Sequence, residues 1–167
     1  STSVIHSNGS KFLKVCSLDD DESDLVRKSV SITKKDLESI IECSSPYVLF
    51  SGGKDSICTL IYIKGIAQSL GKKVRALHVD TTVGLPGSKK HAEELCRRFD
   101  VDLIVVRPKK NFFTLAREWG IPSHNFRWCC RELKIKPLAD YLKTVSEPKI
   151  VLDGIRAVES YVRSSYL

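Results

Sequence analysis

From about residue 33 onward, short apolar runs alternate with longer stretches in which apolar residues recur every three or four positions. The runs predict strands at 47–51, 74–80, 102–107 and 149–153, and the periodic stretches predict helices at 55–70, 88–99, 111–119 and 136–145. Punctuating residues agree: Gly71 closes the first of these helices, Pro108 stops the third strand, and Pro137 suits the first turn of the last helix. Leu37, Ile40 and Ile41 stand at helical spacing behind Thr33 and Asp36, which are placed as a capping pair, so a short helix is expected before the first strand. Short strands separated by amphipathic helices argue for parallel βαβ units. Leu77-His78-Val79 and Leu103-Ile104-Val105-Val106 are apolar on both faces, as in a sheet covered on two sides. The expected fold is α/β: a doubly wound, mostly parallel, Rossmann-like sheet with helices on both faces.

Residues 1–32 are polar and irregular apart from Phe12-Leu13-Lys14-Val15, and read as an N-terminal extension or the end of a preceding domain. Residues 33–167 read as one domain, without internal repeats. A hydrophobic content of 42% with 28% charged residues removes the disordered and fibrous classes. No apolar run approaches the roughly 20 residues of a membrane-spanning helix, and the N-terminus lacks a basic segment followed by an apolar one, so a cytoplasmic chain is expected. The absence of methionine, the start at Ser1 and the stop at Leu167 suggest a processed or truncated chain with a C-terminal segment missing.

Net charge is +7, from 27 Lys and Arg against 20 Asp and Glu, with the excess after the acidic run Asp19-Asp20-Asp21-Glu22. Such a surplus suits a polyanion, whether nucleotide or RNA. Lys72-Lys73, Lys89-Lys90, Arg97-Arg98 and Lys109-Lys110 read as scattered, without interleaved aromatics for stacking bases. The six cysteines form neither a disulfide framework nor a Cys-x-x-Cys pair.

The chemistry concentrates where Tyr47-Val48-Leu49-Phe50 runs into Ser51-Gly52-Gly53-Lys54-Asp55-Ser56 and then a helix. A strand that ends in a glycine turn and feeds a helix leaves backbone N–H groups unpaired where the helix dipole favours negative charge. Gly52 and Gly53 permit close approach of a phosphate or sulfate, and Lys54 adds a mobile cation. The loop is not that of the P-loop NTPases. Matching its Gly-Lys to Gly53-Lys54 puts Val48 at the first glycine and Asp55 at the magnesium-binding hydroxyl. It resembles instead the PP-loop of the adenine nucleotide alpha-hydrolase superfamily, whose members act on ATP or an activated sulfate nucleotide.

Three further segments are similar to the phosphoadenosine phosphosulfate (PAPS) reductase family of that superfamily, and together the resemblance covers about residues 33 to 165. Asp80-Thr81-Thr82-Val83-Gly84-Leu85-Pro86 resembles its Asp-Thr-Gly-x-x-Phe-Pro turn, with Thr82 for the glycine and Leu85 for the phenylalanine. Threonine resists positive φ, so a changed loop backbone is a natural expectation. Cys129-Cys130-Arg131-Glu132-Leu133-Lys134-Ile135-Lys136-Pro137 resembles Cys-Cys-x-x-x-Lys-x-x-Pro, which implies that Lys134 lies against the sulfonucleotide or beside an iron–sulfur cluster. Gly154-Ile155-Arg156, continuing to Ser160 and Arg163, resembles the Gly-x-Arg-x-x-x-Ser-x-x-Arg stretch that closes the nucleotide site, and paired guanidinium forks suit phosphate or sulfate oxygens.

The resemblance implies a nucleotide site built from Ser51, Gly52, Gly53, Lys54, Asp55, Ser56, Asp80, Lys134, Arg156 and Arg163, with the adenine near Asp80. In related members paired cysteines ligate a four-iron cluster. Here Cys129 and Cys130 are either two ligands of a cluster completed beyond Leu167 or two thiols of a cluster-free relative. The implied activity is reduction of PAPS or adenylylsulfate to sulfite with a thioredoxin-like electron donor. The chain lacks the family's Glu-Cys-Gly tail that carries the attacking thiol, and the catalytic nucleophile is unassigned. Two alternatives stay open: a magnesium- and ATP-dependent PP-loop sulfurtransferase acting on RNA or DNA, and a nucleotide-binding module without catalysis. A homo-oligomer is expected, with no membrane partner. His78 and His91 read as a core and a surface residue.

Overall fold

The computed structural model describes the backbone of strands at 3–8, 12–17 and 29–30, and residues 33–123 and 126–154 in full. Seven strands form one sheet: β1 (Ser3–Asn8), β2 (Phe12–Ser17), β3 (Ser29–Val30), β4 (Ser45–Leu49), β5 (Arg75–Val79), β6 (Asp102–Val106) and β7 (Lys149–Gly154), in the order β3-β2-β1-β7-β4-β5-β6. The five strands from β1 to β6 across that order pair in parallel, and β2 and β3 add antiparallel ribbons at the β1 side. Parallel neighbours require crossovers, which the helices supply.

α1 (Lys34–Cys43) leads into β4, α2 (Lys54–Ser69) connects β4 to β5, and α3 (Ser88–Arg98) connects β5 to β6. Element ends fall within one or two residues of expectation. The capping pair is realised as a full capping box: Thr33 accepts from the Asp36 amide, and the Asp36 carboxylate accepts from the Thr33 amide at 2.8 Å. Two faces of the sheet are covered. Val48, Ile150 and Leu152 pack with α1, α2 and α3, while Tyr47 and Val151 point the other way onto Leu138 and Leu142 of α6 (Lys136–Thr144). Alternation along each strand thus feeds two cores, which is why the strands read as apolar throughout. β6 lies at the edge of the sheet, and its central residues are only half-buried.

The return from β6 to β7 departs from expectation. α4 (Phe112–Trp119) is followed by α5 (Trp128–Cys130), a π-helical turn (Arg131–Ile135) and then α6, and the last three run on without a break in helical φ and ψ. The helix expected to begin near Lys136 therefore begins eight residues earlier. Pro137 explains the insertion. It has no N–H to give to the carbonyl four residues back, and the ladder shifts register there, with the Lys136 amide donating to the Arg131 carbonyl.

β4 to β6 progress in one direction across the sheet, whereas β7 returns to the opposite side of β4. The topological switch point lies between β4 and β7, where open α/β sheets hold ligands beyond the carboxyl ends of the strands. Among the described residues no helix is long and apolar enough to cross a membrane.

Candidate functional site

A cavity of about 830 Å³ opens at this switch point. Ser51, Gly53, Asp55 and Ser56 line it from the β4–α2 loop, Asp80 from the end of β5, and Lys134 from the π-helical turn. Residues more than 80 positions apart in the sequence therefore meet at one site. Gly52 and the exposed Lys54 stand outside the lining. Arg156 and Arg163 lie outside the described residues.

The loop is shaped by its glycines and serines. Gly52 holds φ +80°, a left-handed conformation that costs a side chain, and a Cβ there would come to 3.1 Å from the Cδ2 of His91. Gly53 caps α2 in extended conformation, and no side chain caps the helix start. The first intrahelical bond runs from the Ile57 amide to the Gly53 carbonyl at 3.0 Å. The buried Ser56 hydroxyl also donates to that carbonyl, at 2.8 Å, and lies 3.2 Å from the Ser51 hydroxyl. Gly53 N–H donates to the Ser51 hydroxyl at 3.3 Å. The turn is thus braced from within by two hydroxyls, while the first turn of a long helix faces the cavity with its dipole.

On the opposite wall, Thr82 donates its amide to Asp80 Oδ1 at 3.1 Å, and the Arg107 guanidinium donates to Asp80 Oδ2 at 2.9 Å. Burial pushes the Asp80 carboxyl up, but these two donors outweigh it and hold the group below the usual aspartate value. Asp80 reaches the cavity with both oxygens already engaged, so it fixes the loop that borders the site. Thr82 keeps φ +66° in spite of its branched Cβ. The backbone change expected from replacing glycine does not follow from φ, since the loop retains a left-handed residue there. The Thr82 hydroxyl accepts from the Phe112 amide at 3.0 Å, a bond that glycine has no group to make.

Two cavity residues, His78 and Asp153, were not expected at the site, and Gly154 joins them from the closing motif. His78 is buried as expected of a core residue, yet it forms part of the wall, two residues before Asp80 and on the same strand face. Its Nδ1 donates to the Phe50 carbonyl at 2.8 Å, because a carbonyl can only accept. Asp153 and Gly154 close the site from β7. A Cβ on Gly154 would meet the Thr59 hydroxyl and come to 3.0 Å from the Asp55 carbonyl, so glycine lets the end of β7 rest on the first turns of α2. For Asp153 the available signal was its position at a strand's carboxyl end, beside Gly154. His91, exposed on α3, packs against the Gly52 turn.

The sequence profile of the phosphoadenosine phosphosulfate reductase domain matches residues 45–166, most of the chain. The chain belongs to this PP-loop family. Two proteins of Methanocaldococcus jannaschii of uncharacterised function, MJ0066 and MJ0973, are 34% identical over 119 residues and 31% identical over 143 residues. The matches cover 71% and 83% of this chain but only 24% and 33% of those proteins, so the chain spans about a quarter to a third of the relatives' length. It is also similar to the crystal structure of a predicted subunit of tRNA methyltransferase from the same organism, at 21% identity and a TM-score of 0.44, covering 74% of this chain and 62% of that one.

The family's cysteine pair, Cys129 and Cys130, lies on α5, half-buried, one helical turn before Lys134. Among the described residues no group of three or more Cys, His, Asp or Glu is disposed around a metal ion, so the pair brings two of the about four thiolates that such a cluster takes. Cys43 and Cys58 are exposed on other helices, and Cys96, on the buried side of α3, belongs to the core. None of these five cysteines lines the cavity.

Proposed function

We propose that this domain binds an adenine nucleotide across the carboxyl edge of the sheet and acts on an activated sulfate nucleotide, PAPS or adenylylsulfate. The anionic tail lies on the Ser51–Ser56 loop, the adenine lies toward the Asp80 loop, and Lys134 neutralises the phosphosulfate from the opposite wall. Arg156 and Arg163 complete the anion contacts in this reading. The observation that carries it is the convergence of the loop, Asp80 and Lys134 on one cavity at the switch point. Donors fixed before the substrate arrives stabilise charge that builds on the leaving adenylate without reorganising.

In the reduction, a thiolate takes the sulfur, the S–O bond breaks, and the adenosine phosphate leaves with the electron pair. A second thiol then releases sulfite and leaves a disulfide, so two electrons come from a dithiol donor of the thioredoxin kind. None of the five described cysteines lines the cavity, and the attacking thiol stays unassigned in this reading.

Calorimetric titration with PAPS, adenylylsulfate and ATP, with and without magnesium, tests the reading. Preference for a sulfonucleotide without magnesium is expected, and Lys134→Ala should weaken it about tenfold or more, the scale of a charge-assisted hydrogen bond. Magnesium-dependent ATP binding with pyrophosphate release would replace this reading by an ATP-dependent transferase. The net charge of +7 favours that second reading. Failure of every adenylate to bind at millimolar concentration would remove both.

A further inference from the structure

Residues 107–136 contain eight Lys and Arg against two Glu, and so carry six of the chain's seven net positive charges. The expectation of scattered charge without aromatic company fails here, because Lys109-Lys110 leads directly into α4 and its rings. Phe113 is 64% exposed, Phe126 51% and Trp119 42%. Trp119 stands edge-on to the buried Trp128, with ring centroids 6.1 Å apart, and Phe112 lies 5.3 Å from the same indole. These contacts give the exposed rings of α4 a fixed base.

A second cavity, of about 470 Å³, opens between the end of β6, α4 and α6, and of these three exposed rings Trp119 lines it. Arg107, Lys109, Lys110 and Lys136 stand on its wall with Trp119 and Tyr141, against the two carboxylates of Glu132 and Asp140. The helical segment 128–144 divides it from the first cavity: Lys134 and Ile135 face one, Lys136 and Pro137 the other. Lys110 pairs with Glu118 at 2.7 Å and Lys109 with Asp140 at 3.9 Å, while Lys136 pairs with Glu132 at 3.1 Å and Arg107 with Asp80 at 2.9 Å. The Lys109 and Lys110 pairs are exposed and hold each other by less than about 1 kcal/mol, so a polyanion can compete for these two cations.

We infer that this face binds single-stranded nucleic acid, with phosphates on the basic side chains and unstacked bases against Phe113, Trp119 and Phe126. Two features select this occupant. Exposed rings interleaved with cations form a stacking platform in an electrostatic groove, and a duplex has no free base faces to offer it. Protein–protein interfaces are depleted in lysine, whereas three lysines line this cavity. The inference is independent of which adenylate the first cavity takes.

Fluorescence anisotropy with labelled single-stranded RNA and DNA of about 12 nucleotides, and a duplex of the same sequence, tests it. Single strands should bind more tightly than the duplex. Affinity should fall about 50-fold between about 50 and about 200 mM salt if roughly four phosphates are held. Phe113→Ala, which truncates an exposed ring, should weaken single-strand binding about fivefold or more without changing the salt slope, as expected for lost stacking. Lys109→Gln and Lys110→Gln should each lower the slope by about one phosphate. The comparison of RNA with DNA separates the two sources. Absence of binding at the lower salt overturns the inference, as does duplex binding as tight as single-strand binding or a Phe113→Ala variant that binds like the parent. Adenylate titration of the same variants should be unchanged, so failure here and failure at the first cavity are read separately.

Discussion

Replacing Thr82 by glycine and, separately, by alanine measures how much strain the loop beside the site stores. Thr82 sits at φ +66° and accepts a hydrogen bond from the Phe112 amide. A side chain in the left-handed region costs about 1–2 kcal/mol, and both variants lose a hydroxyl worth about 0.5–1.5 kcal/mol net. Glycine removes the steric cost but loses more freedom on folding, by about 0.5–1 kcal/mol relative to alanine. Thr82→Gly should therefore stay near parental stability, whereas Thr82→Ala keeps most of the strain and should lose about 1 kcal/mol. At an ordinary position alanine is the more stable of the two; here glycine should win by about 0.5–1 kcal/mol, roughly 2–3 °C in a domain of this length. Calorimetric melting of the three proteins decides it. If Thr82→Ala melts at or above Thr82→Gly, the loop is not strained at this residue and the argument fails.

Gly154→Ala should cost about 1–3 kcal/mol by overpacking against Thr59 and the Asp55 carbonyl, and it should lower adenylate affinity because the first turns of α2 must shift. Adding Thr59→Ala should restore part of both, and an unchanged Tm with unchanged affinity would count against the contact. Asp80 has a folded pKa below its ordinary value, so its contribution to the loop is present above about pH 4 and is lost as pH falls through that lowered value. In Arg107→Gln the Asp80 carboxyl should titrate at higher pH by carbon NMR, and an identical titration would show that the guanidinium does not hold it. Burial pushes the Cys96 thiol up to about 11, so at about pH 8 a thiol reagent should modify the exposed Cys43 and Cys58 and reach Cys96 only on unfolding. Rapid labelling of Cys96 in the folded protein would contradict its placement. Thr33→Ala, which breaks the capping box of α1, should cost about 1 kcal/mol and leave adenylate binding unchanged.

By itself the sequence determined the class of fold and the four strands and main helices after residue 33, but not β1 and β3 or their place in the sheet. Apolar runs such as Tyr47 to Phe50, capped helices such as 34–43, and glycine or proline at element ends are local signals, set by side-chain periodicity and backbone sterics over a few residues. The glycine-rich loop was legible for the same reason, since its conformation is encoded within six residues. The return of β7 to the far side of β4 was not, because strand order depends on which faces bury one another across the whole sheet. That order decides the site: it brings Lys134 and Gly154 to the loop, makes His78 part of a wall, and engages both oxygens of Asp80 with Thr82 and Arg107. The π-helical turn was hidden as well, because Pro137 is equally compatible with starting a helix and with passing through one, and only packing of the apolar stripe from Trp128 to Leu142 selects the second. Local pattern fixes what each segment can become, whereas long-range burial fixes which segments meet.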